Sequence, residues 1–168
     1  MSHAATHSPA VGPGALGWDV RPARPDDAPA IADAVAELLV ELGAPSPPDR
    51  AAIEAEARAH IDDPSLGIVL VAVNDDLIGV LTASWARAVQ VPGRLLTIEV
   101  LWARRGERDR GIGAALVEAL AAAAAAEGVA RVEVGLPRES FGALRATERF
   151  YLANGFERLG PRMRRSLS

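Results

Sequence analysis

The chain of 168 residues contains no cysteine. That absence excludes disulfides, thiolate nucleophiles and cysteine metal sites, so any acyl transfer proceeds without a cysteinyl intermediate. A large excess of either charge is also lacking: the formal net charge is −4, and the basic residues, all arginine, form no sustained run. A generic basic surface for nucleic acid is therefore not expected. No uncharged apolar segment reaches the roughly 18 residues that a membrane span needs, and the N-terminus lacks the basic start and apolar run of a secretory signal. The expectation is a soluble cytoplasmic protein without a membrane partner.

What is present suits one domain with a real core, since 49% of the residues are apolar. Residues 1–17 are rich in Ser, Ala, Gly and Pro and are expected to be a disordered tail, with residues 18–168 forming a single domain. His3 and His7 in that tail are entropically poor ligands, and no metal site is expected. Residues 18–24 alternate as a first strand. Ile31, Val35, Leu38, Leu39 and Leu42 recur at helical spacing, which predicts a helix over 27–42 ended by Gly43. Pro45, Pro47 and Pro48 mark a loop, and residues 50–61 form a second, shorter helix.

Residues 66–73 and 77–87 read as an antiparallel hairpin around Asn74, Asp75 and Asp76. Residues 95–102 are apolar on both faces, as in a central strand. A helix over 111–127 follows, with Ile112, Leu116, Leu120 and Ala123 or Ala124 as its buried stripe. Residues 129–136 then make a strand parallel to 95–102. A last helix, capped by Ser140 or a neighbour, runs to Tyr151, and residues 156–166 form a terminal strand or hairpin.

The chemistry gathers at the start of the third long helix, in Arg108, Asp109, Arg110, Gly111, Ile112 and Gly113. A glycine-rich turn opening a helix leaves main-chain N–H groups without partners where the helix dipole is positive, and that spot binds phosphate. Glycines at 111 and 113 keep side chains out of the way, and Arg104, Arg105, Arg108 and Arg110 crowd positive charge nearby. A P-loop would need Lys and Ser or Thr where Ile112 and Gly113 stand. A dinucleotide fingerprint would need a small residue at Leu116. Both patterns fail, which leaves two readings of the local sequence: a phosphate-binding turn of another kind, or an ordinary glycine turn at a helix start with solvated arginines.

The order of elements, Arg108-x-x-Gly111-x-Gly113 after a strand, and Phe150-Tyr151-x-x-Asn154-Gly155-Phe156 at the end of the last helix together resemble the GNAT superfamily of acyl-CoA-dependent N-acetyltransferases. The resemblance covers residues 18–166. It implies an α+β fold of three layers: a central, mostly antiparallel twisted sheet of six to seven strands, helices on both faces, and a splay between strands 4 and 5. It further implies that acetyl-CoA is the acyl donor, held by the main chain of Asp109, Arg110, Gly111, Ile112, Gly113 and Ala114 at its pyrophosphate. Leu101, Trp102 and Ala103 would bind its pantetheine arm as a substitute strand. Leu144 stands where many relatives carry an asparagine, seven residues before the tyrosine, so that polar contact does not carry over.

The same resemblance makes Glu99 the expected general base and Tyr151, the chain's one tyrosine, the expected general acid. Glu99 lies in an otherwise apolar strand, which predicts a buried carboxyl, the setting in which an acid becomes a useful base near neutral pH; the alternative is a glutamate paired with an arginine of the loop or exposed at a strand irregularity. Thr97, one pleat earlier, or an ordered water chain are the alternatives. Phe150 and Phe156 read as core aromatics and His60 as a surface histidine. The implied reaction is direct transfer in a ternary complex to a primary amine on a small molecule or peptide, the alternative being a non-catalytic acyl-CoA-binding or sensing module. Residues 42–49, the two early helices and the strand ends after Phe156 are expected to shape the acceptor site, with acidic residues such as Glu41 either attracting a cationic amine or lining a solvated helix face. A homodimer fits family habit.

Overall fold

The computed structural model describes residues 17–89, 91–129 and 131–160. The chain begins with β1 (Asp19–Pro22) and passes through a turn of 3-10 helix at Pro25–Asp27 into α1 (Ala28–Glu41). Asp27 fastens this junction. Its carboxylate accepts from the Arg24 main-chain N–H at 2.7 Å and pairs with the Arg21 guanidinium at 2.7 Å. Next comes α2 (Arg50–Asp62), whose N-cap Asp49 accepts from the Ala52 N–H at 3.1 Å.

The hairpin of β2 (Gly67–Val73) and β3 (Leu77–Ala88) turns on Asn74, whose side chain accepts from the Asp76 N–H at 2.8 Å. The remaining elements are β4 (Val91–Ala103), α3 (Ile112–Ala126), β5 (Val132–Val134) and α4 (Leu144–Ala153). The strands lie in sequence order, with three antiparallel pairings and a parallel β4–β5 pairing. The connection through α3 makes the β-α-β unit expected from the sequence.

Alternation along β2 divides the core. Val69 and Val71 pack with Ile31 and Ala34 of α1, Ala57 of α2, Val80 and Trp102. Leu70 and Ala72 face the other way, toward Ile112, Leu116, Leu120 and Ala124 of α3 and Tyr151 of α4. The sheet is thus sandwiched between helix layers. Each large aliphatic side chain buried this way contributes about 1.5–3 kcal/mol.

Several expectations are corrected. The sheet has five strands among the described residues, not six to seven. Residues 156–160 form no strand, and residues 161–166 of the expected terminal strand lie outside the described residues, as do residues 1–16 of the expected tail. The fifth strand spans 132–134 rather than 129–136, because the Val129 N–H closes the end of α3 on the Ala124 carbonyl at 3.0 Å. Ser140 does not cap α4: the N-cap position is Ala143, with no side-chain cap bond. Leu39 is exposed, and Ala28, Ala32 and Ala34 join Ile31 in the buried stripe of α1.

The most consequential irregularity is in β4. Ala83 opposes Ile98 and Thr82 opposes Val100, so Glu99 is an extra residue without a partner on β3. A β-bulge of one residue reverses which face each later side chain occupies. Before it, Leu96 and Ile98 face α3; after it, Leu101 and Ala103 face α3 while Val100 and Trp102 face α1 and α2.

Candidate active site

The bulge also reverses the main-chain groups. Below it, the Leu96 N–H donates to the Arg131 carbonyl at 3.2 Å, toward β5. Above it, the Arg104 N–H donates to the Ile78 carbonyl at 2.9 Å, toward β3. Antiparallel alternation then turns the N–H and C=O of Trp102 to β3, and those of Leu101 and Ala103 away from it. The β4–β5 ladder ends at Ile98 opposite Val134. From there the two strands part, and Leu101 and Ala103 present a hydrogen-bonding edge to the gap.

Across that gap lies the start of α3. Its N-cap, Gly111, provides no side-chain bond, and the first main-chain donation back to the N-cap is from Ala115 to the Gly111 carbonyl at 3.0 Å. The amides of Ile112, Gly113 and Ala114 are therefore available to an outside acceptor at the positive end of the helix dipole. Gly111 has φ +81° with open space where a Cβ would stand. Asp109 is the one described non-glycine residue at positive φ, 65°. The strand end and helix start border one cleft of about 460 Å³.

Leu101, Trp102, Ala103, Arg108, Asp109, Gly111, Ile112, Gly113, Ala114 and Tyr151, all predicted from the sequence, line this cleft. Glu99 and Arg110 do not. The far wall is α4, which brings in Thr147, Phe150 and Asn154, residues that sequence reasoning did not assign to the site. Their signal was the spacing of Thr147, Phe150, Tyr151 and Asn154 along one helix face.

Tyr151 is held rigidly. Asn154 is the C-cap of α4, its side-chain amide donating to the Phe150 carbonyl at 2.8 Å, and Gly155 follows in the left-handed conformation at φ +83°. The Phe156 N–H returns to the Tyr151 carbonyl at 3.1 Å, the pattern of a Schellman motif with its hydrophobic contact. Phe150 and Phe156 each meet the Tyr151 ring edge-on with centroids 5.2 Å apart. Burial pushes the phenol up to about 12.

Two expectations about charge fail. Glu99 is exposed, because the bulge lifts it out of the apolar alternation that predicted its burial. The arginines do not form a free cationic cluster. Arg104 binds the Leu77 carbonyl at 2.7 Å and Asp76 at 3.2 Å, and Arg110 pairs with Glu107. Arg108 donates to the Ala103 carbonyl at 3.0 Å and to Glu41 at 2.8 Å, and Arg105 reaches Glu41 at 2.8 Å. Glu41 is therefore neither a free cation attractor nor a solvated helix residue. Its carboxyl is held below its ordinary value, first by the hydrogen bond from Arg108, with burial opposing.

A second cleft of about 320 Å³ opens between the end of α1 and the β5–α4 connection, bordered by Glu41, Leu42, Gly43, Arg138 and Phe141. His60 sits on α2 beside Glu56 at 3.2 Å. Among the described residues no group of His, Cys, Asp and Glu is placed to hold a metal, and no helix is long and apolar enough to cross a membrane.

A mixed sheet parted between a bulged strand and its parallel neighbour, with an uncapped helix start facing the gap, defines a three-layer α+β protein that sets an open strand edge beside an anion-binding helix terminus. The model of the acetyltransferase (GNAT) family matches residues 32–156, and the chain belongs to that family. Solved structures share the fold. A possible acetyltransferase from Clostridium difficile 630 superposes with a TM-score of 0.75 at 18% identity, covering 90% of this chain and 97% of its own. An aminoglycoside acetyltransferase from an uncultured soil metagenomic sample gives 0.70 at 19%, covering 90% and 99%. The ribosomal-protein-alanine N-acetyltransferase from Brucella melitensis biovar Abortus 2308 gives 0.69 at 17%, also covering 90% and 99%. No curated protein matches the chain.

Proposed function

We propose that the protein transfers an acetyl group from acetyl-CoA to a primary amine by direct attack in a ternary complex. The observation that carries this reading is the single cleft shared by the open edge of β4 and the amides in the first turn of α3. Leu101 and Ala103 offer main-chain partners to an extended amide-bearing arm, although the Ala103 carbonyl already accepts from Arg108. Trp102 contributes only the wall, since its ring is buried among α1 and α2 and its main chain is turned to β3. The amides of Ile112, Gly113 and Ala114, with the loop of Arg108, Asp109, Arg110 and Gly111, suit a pyrophosphate.

The donor supplies an activated thioester. The amine nitrogen bonds to its carbonyl carbon and the carbon–sulfur bond breaks, giving an amide and a free thiol. Delivering a neutral amine from an ammonium of pKa near 10.4 costs about 4–5 kcal/mol at neutral pH. Glu99 accepts that proton, directly or through water; Thr97 is the neighbouring alternative. An exposed carboxylate on a bulge beside the parted strands is reachable from solvent, so the proton leaves the site easily.

Tyr151 donates toward the departing sulfur. At about 12 its hydroxyl stays protonated throughout the working range, some 3.5 units above a thiol near 8.5. Full transfer is uphill by about 5 kcal/mol even to the released thiolate, so the hydroxyl acts by hydrogen-bonding the sulfur as negative charge develops on it, and the thiolate takes its proton as it leaves for solvent. The acceptor approaches through the cleft beside Glu41, Leu42 and Gly43, a small-molecule or peptide amine in the cytoplasm. The relatives named for an aminoglycoside and for a ribosomal-protein alanine both concern amines, which supports an amine here.

The exposure of Glu99 favours a second reading, an acyl-CoA-binding or sensing module without turnover. A thiol-release screen over an amine library with acetyl-, propionyl- and succinyl-CoA separates the two. Release with at least one amine establishes the transferase. Calorimetric acetyl-CoA binding with no release across the library leaves the sensing module, and absence of binding removes both.

A further inference from the structure

Glu41 is the last residue of α1, where a carboxylate meets the negative end of the helix dipole at a cost of about 0.3–1 kcal/mol. Both its oxygens are nonetheless engaged, Oε2 by Arg108 Nη2 at 2.8 Å and Oε1 by Arg105 Nε at 2.9 Å. The side chain is 13% exposed, so the bridge is better shielded than the exposed pairs that contribute little. Arg108 turns the same guanidinium on the Ala103 carbonyl, Nε to O 3.0 Å. One side chain therefore joins the end of α1, the open end of β4 and the loop before α3.

That loop is strained immediately after Arg108. Asp109, at φ 65°, occupies a region that costs a non-glycine residue about 1–2 kcal/mol, and such a conformation persists only where surrounding contacts enforce it. The bridge from Arg108 to Glu41 and Ala103 is a contact of this kind. It commits two of the three guanidinium nitrogens, which suits a brace better than a phosphate ligand. With Arg105 and its second partner Glu37 counted, the cluster is two arginines and two glutamates and carries no net charge.

We propose that Glu41 is a positioning residue for the acyl donor: through Arg108 it braces the loop of residues 104–111 against the end of β4, so that this loop and the amides of the first turn of α3 are set before the donor arrives. This rests on the donor assignment above. Preorganisation of this sort improves binding by removing an ordering cost, without adding a contact to the ligand.

The test is calorimetric titration of acetyl-CoA into the full chain, with thermal unfolding recorded for each variant. Glu41→Gln is expected to raise Kd about tenfold, and Arg108→Gln by a similar factor. The double variant should be no weaker than Arg108→Gln alone, because both changes cut one contact. Asp33→Asn, on the same helix as Glu41, weakens an exposed pair with Arg50 of α2 and should leave Kd unchanged. Wild-type affinity in Glu41→Gln overturns the proposal, and a lowered melting temperature with unchanged Kd overturns it equally by assigning Glu41 to stability alone. Multiplying effects in the double variant also overturn it, since Arg108 would then hold phosphate independently. Failure of the wild-type chain to bind acetyl-CoA refutes the donor assignment and this role together, and the wild-type titration distinguishes that case.

Discussion

The Cβ that Gly113 lacks would lie 3.2 Å from Cζ of Phe150, closer than side chains ordinarily approach. Gly113, in the first turn of α3, is thus explained by packing of α3 on α4, and Gly111 alone by its backbone conformation. Gly113→Ala should change stability by less than about 1 kcal/mol, because helix propensity gained offsets the displaced ring. It should still raise the apparent Kd for acetyl-CoA several-fold by moving Phe150, which lines the cleft. Denaturant titration and calorimetry read the two effects separately.

At Gly111 the expected outcomes divide by side chain. Gly111→Asn tolerates φ +81° and should fold with close to wild-type stability. Gly111→Glu places a carboxylate in the space facing the free amides and should abolish acetyl-CoA binding. Unaltered affinity in Gly111→Glu would falsify the assigned pyrophosphate site.

Tyr151→Phe should lower kcat about 100-fold with little change in KM, using any amine found in the thiol-release screen. Its ionisation offers an independent check. The folded hydroxyl is raised from 10.0 to about 12, so the stability tied to its protonation is complete below pH 10 and lost as pH rises through about 12. The loss is on the order of 2–3 kcal/mol. Alkaline unfolding of wild type should show it and Tyr151→Phe should not, and the kcat profile should have no alkaline limb from this residue below about pH 11.

Glu99→Gln should lower turnover at pH 7 about 10- to 100-fold, and the deficit should shrink as pH approaches the amine pKa near 10.4, where base assistance becomes unnecessary. A constant deficit across that range would remove Glu99 from proton transfer. The same pH series on Thr97→Val tests the neighbouring alternative.

Much of this architecture is legible in the sequence because it rests on short-range signals. The amphipathic period of α3, the Asn74 turn and the Tyr151-x-x-Asn154-Gly155-Phe156 helix ending are each decided within a few residues. The bulge is legible only as the alternative reading of Glu99, since β4 is apolar on both faces and its alternation conceals a shift of one residue. Glu41 is hidden for another reason: its partners lie 64 and 67 residues away, and only the tertiary fold brings them together. Arg104, Arg105 and Arg108 read as free charge for the same reason, their carboxylate partners being distant in sequence, whereas the Glu107 partner of Arg110 lies only three residues away.

The single unpaired residue at position 99 gives the second half of β4 an unusual profile of mutational tolerance. What faces the gap there is main chain, so residues 101 and 103 can vary among side chains that satisfy the core without altering the edge they expose. Length is another matter. One residue inserted or deleted between positions 99 and 103 would exchange inward and outward side chains and turn the exposed edge back toward β3. The segment should therefore accept substitutions readily in a deep mutational scan and reject almost every change of length.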